Sequence, residues 1–133
     1  MANTFLPELS PESARQLSNL ALAHVGDAVF ELMVRTKLAS QGRETAHNLH
    51  KMSVSLVRAP AQARRMERII PLLTEEEAEV YRRGRNAKVN SVPKAASTEE
   101  YHAATGLEAL FGYLYLTGRS QRAMELFELS EVQ

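Results

Sequence analysis

The sequence contains no cysteine, which excludes disulfide bonds and zinc sites built from thiolate ligands. No apolar run approaches the roughly 18 residues that a membrane-spanning helix needs, and the first residues, MANTFLPELSPES, lack the pattern of a secretory signal. Sixteen basic and sixteen acidic side chains balance to zero, which argues against general electrostatic binding of nucleic acid. We therefore expect a cytoplasmic protein with no membrane partner, in which any nucleic-acid binding depends on a local basic patch.

Strand patterns are also missing, because no segment of four or more residues alternates convincingly between apolar and polar side chains. Apolar residues recur instead at three- and four-residue steps, the spacing of amphipathic helices. A chain of 133 residues can bury one core, so we predict a single all-α domain over residues 1–133. Capping boxes at Thr74 with Glu77 and at Ser97 with Glu100 start two of the helices. The predicted helices cover residues 12–40, 45–57, 60–70, 74–83, the segment after 97 that includes 105–117, and 120–129.

The stretch LALAHVGDAVFELMVR, residues 20–35, is predicted to be an amphipathic helix with an unusual centre. Asp27 lies in the middle of the apolar pattern, where a buried carboxylate is costly unless a cation or a hydrogen-bond donor meets it. Gly26 costs about 1 kcal/mol relative to alanine in a helix, which indicates close approach of another backbone or a ligand. The alternative is that Asp27 lies at the edge of the stripe in solvent. The residues predicted to face inward are Ala21, Val25, Ala28, Val29, Leu32 and Met33.

A second acid lies in the most apolar segment of the chain, TGLEALFGYLYLT at residues 105–117, where Glu108 is the only charge. If the two glycine-containing helices pack on each other, Asp27 and Glu108 could converge. Converging carboxylates need a shared proton or a cation between them. Mg²⁺ is the natural cation, because it is commonly held by one or two carboxylates with water and phosphate oxygens in the remaining positions.

The segment from Arg82 to Lys94 concentrates basic side chains and asparagines without any acid. Such a surface suits phosphates and sugar hydroxyls, although cations are also favoured at a helix carboxyl end by the helix dipole. A second basic run, Arg58 to Arg68, is predicted to be a solvent-exposed face. His50, beside Lys51, could contact RNA or pack against a neighbour, and His24 and His102 could support the two acids or simply be core or surface residues. No glycine-rich phosphate loop and no serine or cysteine nucleophile is present, so an enzyme would need metal-bound water as its nucleophile.

The sequence resembles a known family at four places in order along the chain. HVGDAVFE around Asp27 and EALFGYLYL from Glu108 resemble the two acidic helices of ribonuclease III catalytic domains. Together with LHK at 49–51 and RGRNAK at 83–88, they are more similar still to the Mini-III subgroup, which consists of the catalytic domain alone. Where the broader family has further carboxylates, this sequence has Leu20, Ala23 and Thr105, a reduction that the Mini-III subgroup shares.

The resemblance implies a helical homodimer that hydrolyses phosphodiester bonds in double-stranded RNA with Mg²⁺. It implies that Asp27 and Glu108 are the catalytic residues and metal ligands, that the substrate is precursor 23S ribosomal RNA, and that a ribosomal protein could present it. We expect the dimer to form near Val29, Phe30 and Met33. No double-stranded-RNA-binding domain is expected, so the catalytic domain must hold RNA itself. The expected RNA contacts are His50, Lys51, Arg83, Arg85, Asn86, Lys88 and Lys94.

Two alternatives to the enzyme remain open from the sequence. The first is a non-catalytic module of the same fold that binds structured RNA during ribosome assembly, which the three missing acids favour. The two retained acids in apolar helices argue against it, because a pure binder has no need for them there. The second is a helical interaction protein with an incidental basic segment. Binding that weakens steeply with salt would indicate phosphate contacts and exclude the second alternative.

Overall fold

The computed structural model describes residues 5–42, 44–87 and 97–131, and within these ranges it contains helices and no strand. The all-α prediction is therefore confirmed. Two expected RNA contacts, Lys88 and Lys94, lie outside the described residues. No helix in the described ranges is long and apolar enough to cross a membrane. The helices are α1 (Pro11–Arg15), α2 (Asn19–Gln41), α3 (Ala46–Val57), α4 (Ala59–Ile69), α5 (Glu75–Arg85), α6 (Thr98–Leu116) and α7 (Ser120–Leu129), with a 3₁₀ turn at Ile70–Leu72.

Helix α6 is the centre of the molecule, and α2, α4 and α5 pack around it. All but one of its residues from 104 to 114 are buried, and the exception is Glu108. The sequence predicts this arrangement, because apolar side chains cover nearly every side of that helix and one apolar face alone would leave most of them in water.

Two glycines allow α2 and α6 to touch backbone to backbone. A Cβ atom at Gly26 would overlap the carbonyl oxygen of Glu108, and one at Gly112 would overlap that of Leu22. The close approach that the sequence indicates at Gly26 is thus observed, and the partner is the helix that carries the second acid. A third glycine, Gly84, was expected to end its helix. It instead lies inside α5 and packs against Ala109 of α6.

The helices begin where the sequence predicts their N-terminal caps, with one exception. Both capping boxes are present, each with the threonine or serine accepting from the N3 backbone and the N3 glutamate accepting from the cap backbone. The helix predicted over residues 12–40 is in fact two helices, because Ser18 caps a new helix and its hydroxyl accepts from the Ala21 N–H at 3.0 Å. Helix α2 therefore begins at Asn19, about two turns before Asp27, and does not continue from α1.

The predicted inward face of α2 was wrong in part. Ala21, Ala28 and Leu32 are exposed, with Leu32 at 56% of its accessible surface, whereas Val29 and Met33 pack against the core as expected. The helix is apolar on two sides, and the side that carries Gly26 packs on α6 because a residue without a side chain permits the closer approach. Phe30, expected near a dimer surface, is a core residue in edge-to-face contact with Phe111 and Phe127. The buried residues of α2 are Leu22, Ala23, Gly26, Phe30, Val34 and Leu38.

Arg65 was predicted to point into solvent with its neighbours on α4, but it is buried. Its guanidinium lies 4.6 Å from the ring centroid of Phe127 and donates to the Ser130 hydroxyl at 3.0 Å. Burial lowers the pKa of Arg65, and the negative charge of Glu131 opposes that effect. This arginine therefore fastens the end of α7 to the core rather than offering a charge to a ligand.

Candidate active site

The carboxyl groups of Asp27 and Glu108 meet where α2 crosses α6. Asp27 lies at the middle of α2 and is exposed, whereas Glu108 on α6 is mostly buried, and the two side chains are close enough for the negative charge of Asp27 to act on Glu108. Gly26 places the backbone of α2 directly against that of Glu108. The structure thus brings together the two acids that the sequence singled out, and it leaves Asp27 open to solvent.

The environment of Glu108 favours its protonated form. Burial raises the pKa of Glu108 to about 8, and the negative charge of Asp27 acts in the same direction. The hydrogen bond from Gln62 has the opposite effect but does not offset the others. Glu108 therefore holds a proton near neutral pH, and a bound cation would replace that proton.

The donor set of this site fits a hard divalent cation. Within the ranges that the structure describes, no group of three or more histidine, aspartate or glutamate side chains could surround a metal ion. Mg²⁺ does not need such a cage, because it keeps several waters and is often bound by one or two carboxylates together with substrate phosphates. Asp27 and Glu108 are the residues that could hold such an ion.

Gln62 on α4 is the neighbour that sequence analysis missed. It is 2% exposed, and its Nε2 donates to the Val57 carbonyl oxygen at 2.8 Å and to Oε2 of Glu108 at 3.4 Å. A signal was available, because Gln62 lies one turn before the core residue Met66 on the apolar side of its helix. A polar residue in that register predicts a buried amide with a specific partner.

The expected RNA contacts are distributed over two helices. Arg83 and Arg85 are exposed at the end of α5, and Asn86 caps that helix. Arg85 and Asn86 line a shallow cleft of about 270 Å³ together with Glu99 and His102. The second group, on α3, consists of the exposed residues His50 and Lys51.

The two histidines whose roles the sequence left open differ in their surroundings. His24 is exposed on α2, one turn before Asp27. His102 is half-buried, and its Nδ1 has no hydrogen-bond partner among the described residues. The causes of the raised pKa of Glu108 are burial and the charge of Asp27, opposed by the hydrogen bond from Gln62.

Residues 20–119, which include both acid-bearing helices, match the model of the Ribonuclease III domain. The chain belongs to the ribonuclease III family. It is 48% identical over 122 residues to the Mini-ribonuclease 3 of Thermoanaerobacter sp. (strain X514), covering 92% of this chain and 86% of that one. It is 46% identical to the Mini-ribonuclease 3 of Symbiobacterium thermophilum, with 84% and 86% covered. A crystal structure of a Fusobacterium nucleatum protein superimposes with a TM-score of 0.78 at 32% identity, covering 86% of this chain and 92% of the other.

These similarities confirm the class of protein that the sequence predicts. The chain is a ribonuclease III-type endoribonuclease of the Mini-III kind, built on the all-α fold of that family. The alternative of a helical interaction protein without a role in RNA metabolism is therefore excluded. The roles of individual residues, the metal and the form of the RNA are the subject of the proposal that follows.

Proposed function

We propose that this ribonuclease III-type enzyme uses Mg²⁺ to hydrolyse phosphodiester bonds in double-stranded RNA, with Asp27 and Glu108 as its catalytic residues and metal ligands. The observation that carries this proposal is the pairing of the two carboxyl groups, one open to solvent and one partly buried beside the core, on the two helices that the family match includes. A structural role does not account for the pair, because like charges at close range destabilise the fold that holds them.

In the proposed reaction the cation and the protein residues have different tasks. A divalent cation bound by the two carboxylates supplies charge neutralisation at the phosphate and activation of water. Glu108 gives up its proton, and Asp27 and Glu108 fix the position at which the phosphate is held. The contact between the α2 and α6 backbones keeps the spacing of these two side chains constant, and such preorganisation lowers the cost of reaching the transition state.

Binding of the duplex is assigned to the exposed polar groups near α5 and α3. Arginine, lysine and asparagine side chains can contact phosphates and 2′-hydroxyls without reading the sequence, which is how A-form RNA is mainly recognised. The assigned residues are His50, Lys51, Arg83, Arg85, Asn86, Lys88 and Lys94.

The exposed apolar side of α2 is assigned to a homodimer interface. Val25, Ala28 and Leu32 line one side of a shallow apolar cavity of about 350 Å³, with Tyr115 of α6 on the other. A contiguous exposed apolar patch of this kind is typical of a protein–protein interface. A symmetric dimer would present one active centre to each strand of a duplex, because the strands are related by local two-fold axes. Of the three residues that the sequence places near the dimer surface, Val29 also lines this cavity, whereas Phe30 is in the core and is left out of the interface.

The natural substrate that we assign is precursor 23S ribosomal RNA, whose ends the enzyme would mature in the cytoplasm, with a ribosomal protein as a possible partner that presents it. This assignment rests on the similarity to the Mini-III subgroup. The non-catalytic RNA-binding module for ribosome assembly is kept as an outcome of the experiment below.

The test is cleavage of an end-labelled RNA duplex by the wild type and Asp27→Asn, each with Mg²⁺ and with a chelator. Glu31→Gln is the matched control, because Glu31 lies one turn later on α2 and forms an ion pair with Arg35 on the same helix. We expect cutting by the wild type and the control with Mg²⁺ alone, and none by Asp27→Asn. If no lane shows cutting while the duplex is retained in a gel shift, the RNA-binding module is the better description, unless adding the ribosomal protein restores cleavage.

A further inference from the structure

Gln62 is a polar residue in a buried position, and the stability of the fold alone does not explain why an amide is found there. It lies in the first turns of α4, almost fully buried, between the end of α3 and the acidic position of α6. Its Nε2 reaches the carbonyl of Val57, the last residue of α3, and Oε2 of Glu108. Its Oε1 is buried and has no hydrogen-bond partner among the described residues.

The orientation of this amide is fixed by its surroundings. The Val57 carbonyl oxygen can only accept a hydrogen bond, so the nitrogen of Gln62 and not its oxygen must face it at 2.8 Å. The two N–H groups of Nε2 are then directed to the Val57 carbonyl and to the Glu108 carboxyl. Rotation of the Glu108 side chain away from Asp27 would break the second of these contacts.

The unpaired Oε1 argues against a purely structural role. A buried acceptor without a partner destabilises the folded state, whereas methionine has a similar shape and would bury no such group. The Val57 carbonyl at the end of α3 could also be satisfied by water, as helix ends commonly are. The amide therefore serves the one neighbour that has a chemical task, which is Glu108.

We infer that Gln62 is a positioning residue of the metal site, which anchors Glu108 to the end of α3 so that the carboxyl groups of Glu108 and Asp27 converge on one divalent cation. This inference rests on the proposed function of that pair. It assigns to α3 and α4 a part in metal binding, although neither contributes a ligand.

The experiment measures Mn²⁺ binding to the whole protein by calorimetry, the Mg²⁺ concentration that gives half-maximal duplex cleavage, and unfolding by urea. The variant Gln62→Met removes the amide at similar size. Because loss of a group that orients a metal ligand typically weakens metal binding by about 10–100-fold, we expect a loss of that order in Mn²⁺ affinity. Half-maximal cleavage should shift to a higher Mg²⁺ concentration, and the rate at saturating Mg²⁺ should approach that of the wild type.

Two further variants separate an effect on metal binding from an effect on folding. Gln62→Asn retains an amide that is one methylene too short to reach both Val57 and Glu108, so Mn²⁺ affinity should fall here as well, even if Gln62→Met fails to fold. Ile69→Val removes a methylene from a fully buried residue of the same helix and should lower stability while leaving Mn²⁺ affinity unchanged.

Wild-type affinity in both Gln62 variants would overturn the inference and leave Gln62 with a structural role only. A fall in stability without a change in Mn²⁺ affinity has the same meaning. If the wild type itself neither binds Mn²⁺ nor cuts the duplex, the proposed function has failed, and the inference fails with it.

Discussion

The carboxyl groups of Asp27 and Glu108 lie close enough for the charge of one to act on the other, although Asp27 is exposed on α2 and Glu108 is mostly buried on α6. Burial of Glu108 beside this charge makes the stability of the metal-free protein depend on pH. The folded-state pKa of Glu108 is about 8, well above the value of 4.5 for a free glutamate. Between these two values the folded state binds more protons than the unfolded state, so the free energy of unfolding should fall as the pH rises.

Glu108→Gln should remove this dependence. In a chelator, the variant should be more stable than the wild type at pH 8, by an amount that shrinks as the pH falls toward 4.5. Urea unfolding at several pH values measures it. A wild-type stability that is flat, or that rises, over this range would show that Glu108 does not hold its proton in the folded protein.

Gly26→Ala should damage the fold severely, because the new Cβ would overlap the Glu108 carbonyl oxygen, which belongs to backbone that cannot move aside alone. Overpacking usually costs about 1–3 kcal/mol, and we expect a loss at or above the upper end. Gly42→Ala is the control, because nothing lies within 4 Å of its Cβ position. Thermal unfolding of the two variants gives the comparison, and equal midpoints would contradict the backbone contact.

Acid stability should depend on Glu76. The Arg119 guanidinium, at 2.9 Å, and the Tyr113 hydroxyl hold the pKa of Glu76 at about 2. A lowered pKa stabilises the fold above the unfolded value near 4.5, and this contribution is lost as the pH falls toward 2. Glu76→Gln should therefore flatten acid unfolding followed by circular dichroism. Glu79→Gln, a change at an exposed acid of the same helix, should leave the wild-type curve unchanged.

The double variant Arg85→Ala and Lys88→Ala should bind RNA duplex more weakly and with a shallower dependence on salt, because fewer phosphates are neutralised. Stability should change by no more than about 0.5 kcal/mol at Arg85, because that residue is exposed. The control removes the same charge by Arg58→Ala, at the residue that precedes α4, and Arg64→Ala, on α4, and both residues are exposed. Gel shifts at several salt concentrations measure the RNA affinity of both double variants. If the variant at Arg85 and Lys88 binds RNA as tightly as the wild type, these two residues do not contact RNA.

Leu32→Glu should convert a dimer to a monomer without unfolding it, since Leu32 is exposed on the apolar side of α2. Leu72→Glu is the matched control, because Leu72 is exposed to a similar degree in the 3₁₀ turn. Light scattering after gel filtration gives the mass of each. A wild type that is already monomeric would contradict the homodimer. A Leu32 variant that remains dimeric would show that the interface does not include this side of α2.

The sequence predicts the helices and the pair of acids well because both depend on local signals. Capping residues report on the chain near them, and a lone carboxylate in an apolar helix is visible without any tertiary information. The errors concern tertiary contacts. Helix α2 is apolar on two sides, and only the shape of α6 decides that Phe30 is buried and Leu32 is not.

Arg65 and Gln62 were missed for a related reason. Each is a polar residue with a long side chain, and such residues are mostly exposed, so sequence patterns assign them to solvent. Their burial depends on partners distant in the chain, Ser130 for the arginine and Glu108 for the amide.

The glycine contact between α2 and α6 has a consequence for how this enzyme responds to substitutions in its core. Main-chain atoms set the separation of the two helices at Gly26 and Gly112, so the distance between the backbones that carry Asp27 and Glu108 does not depend on the size of the apolar side chains around them. A change of one apolar side chain in the core should therefore lower the melting temperature before it alters the spacing of the two backbones.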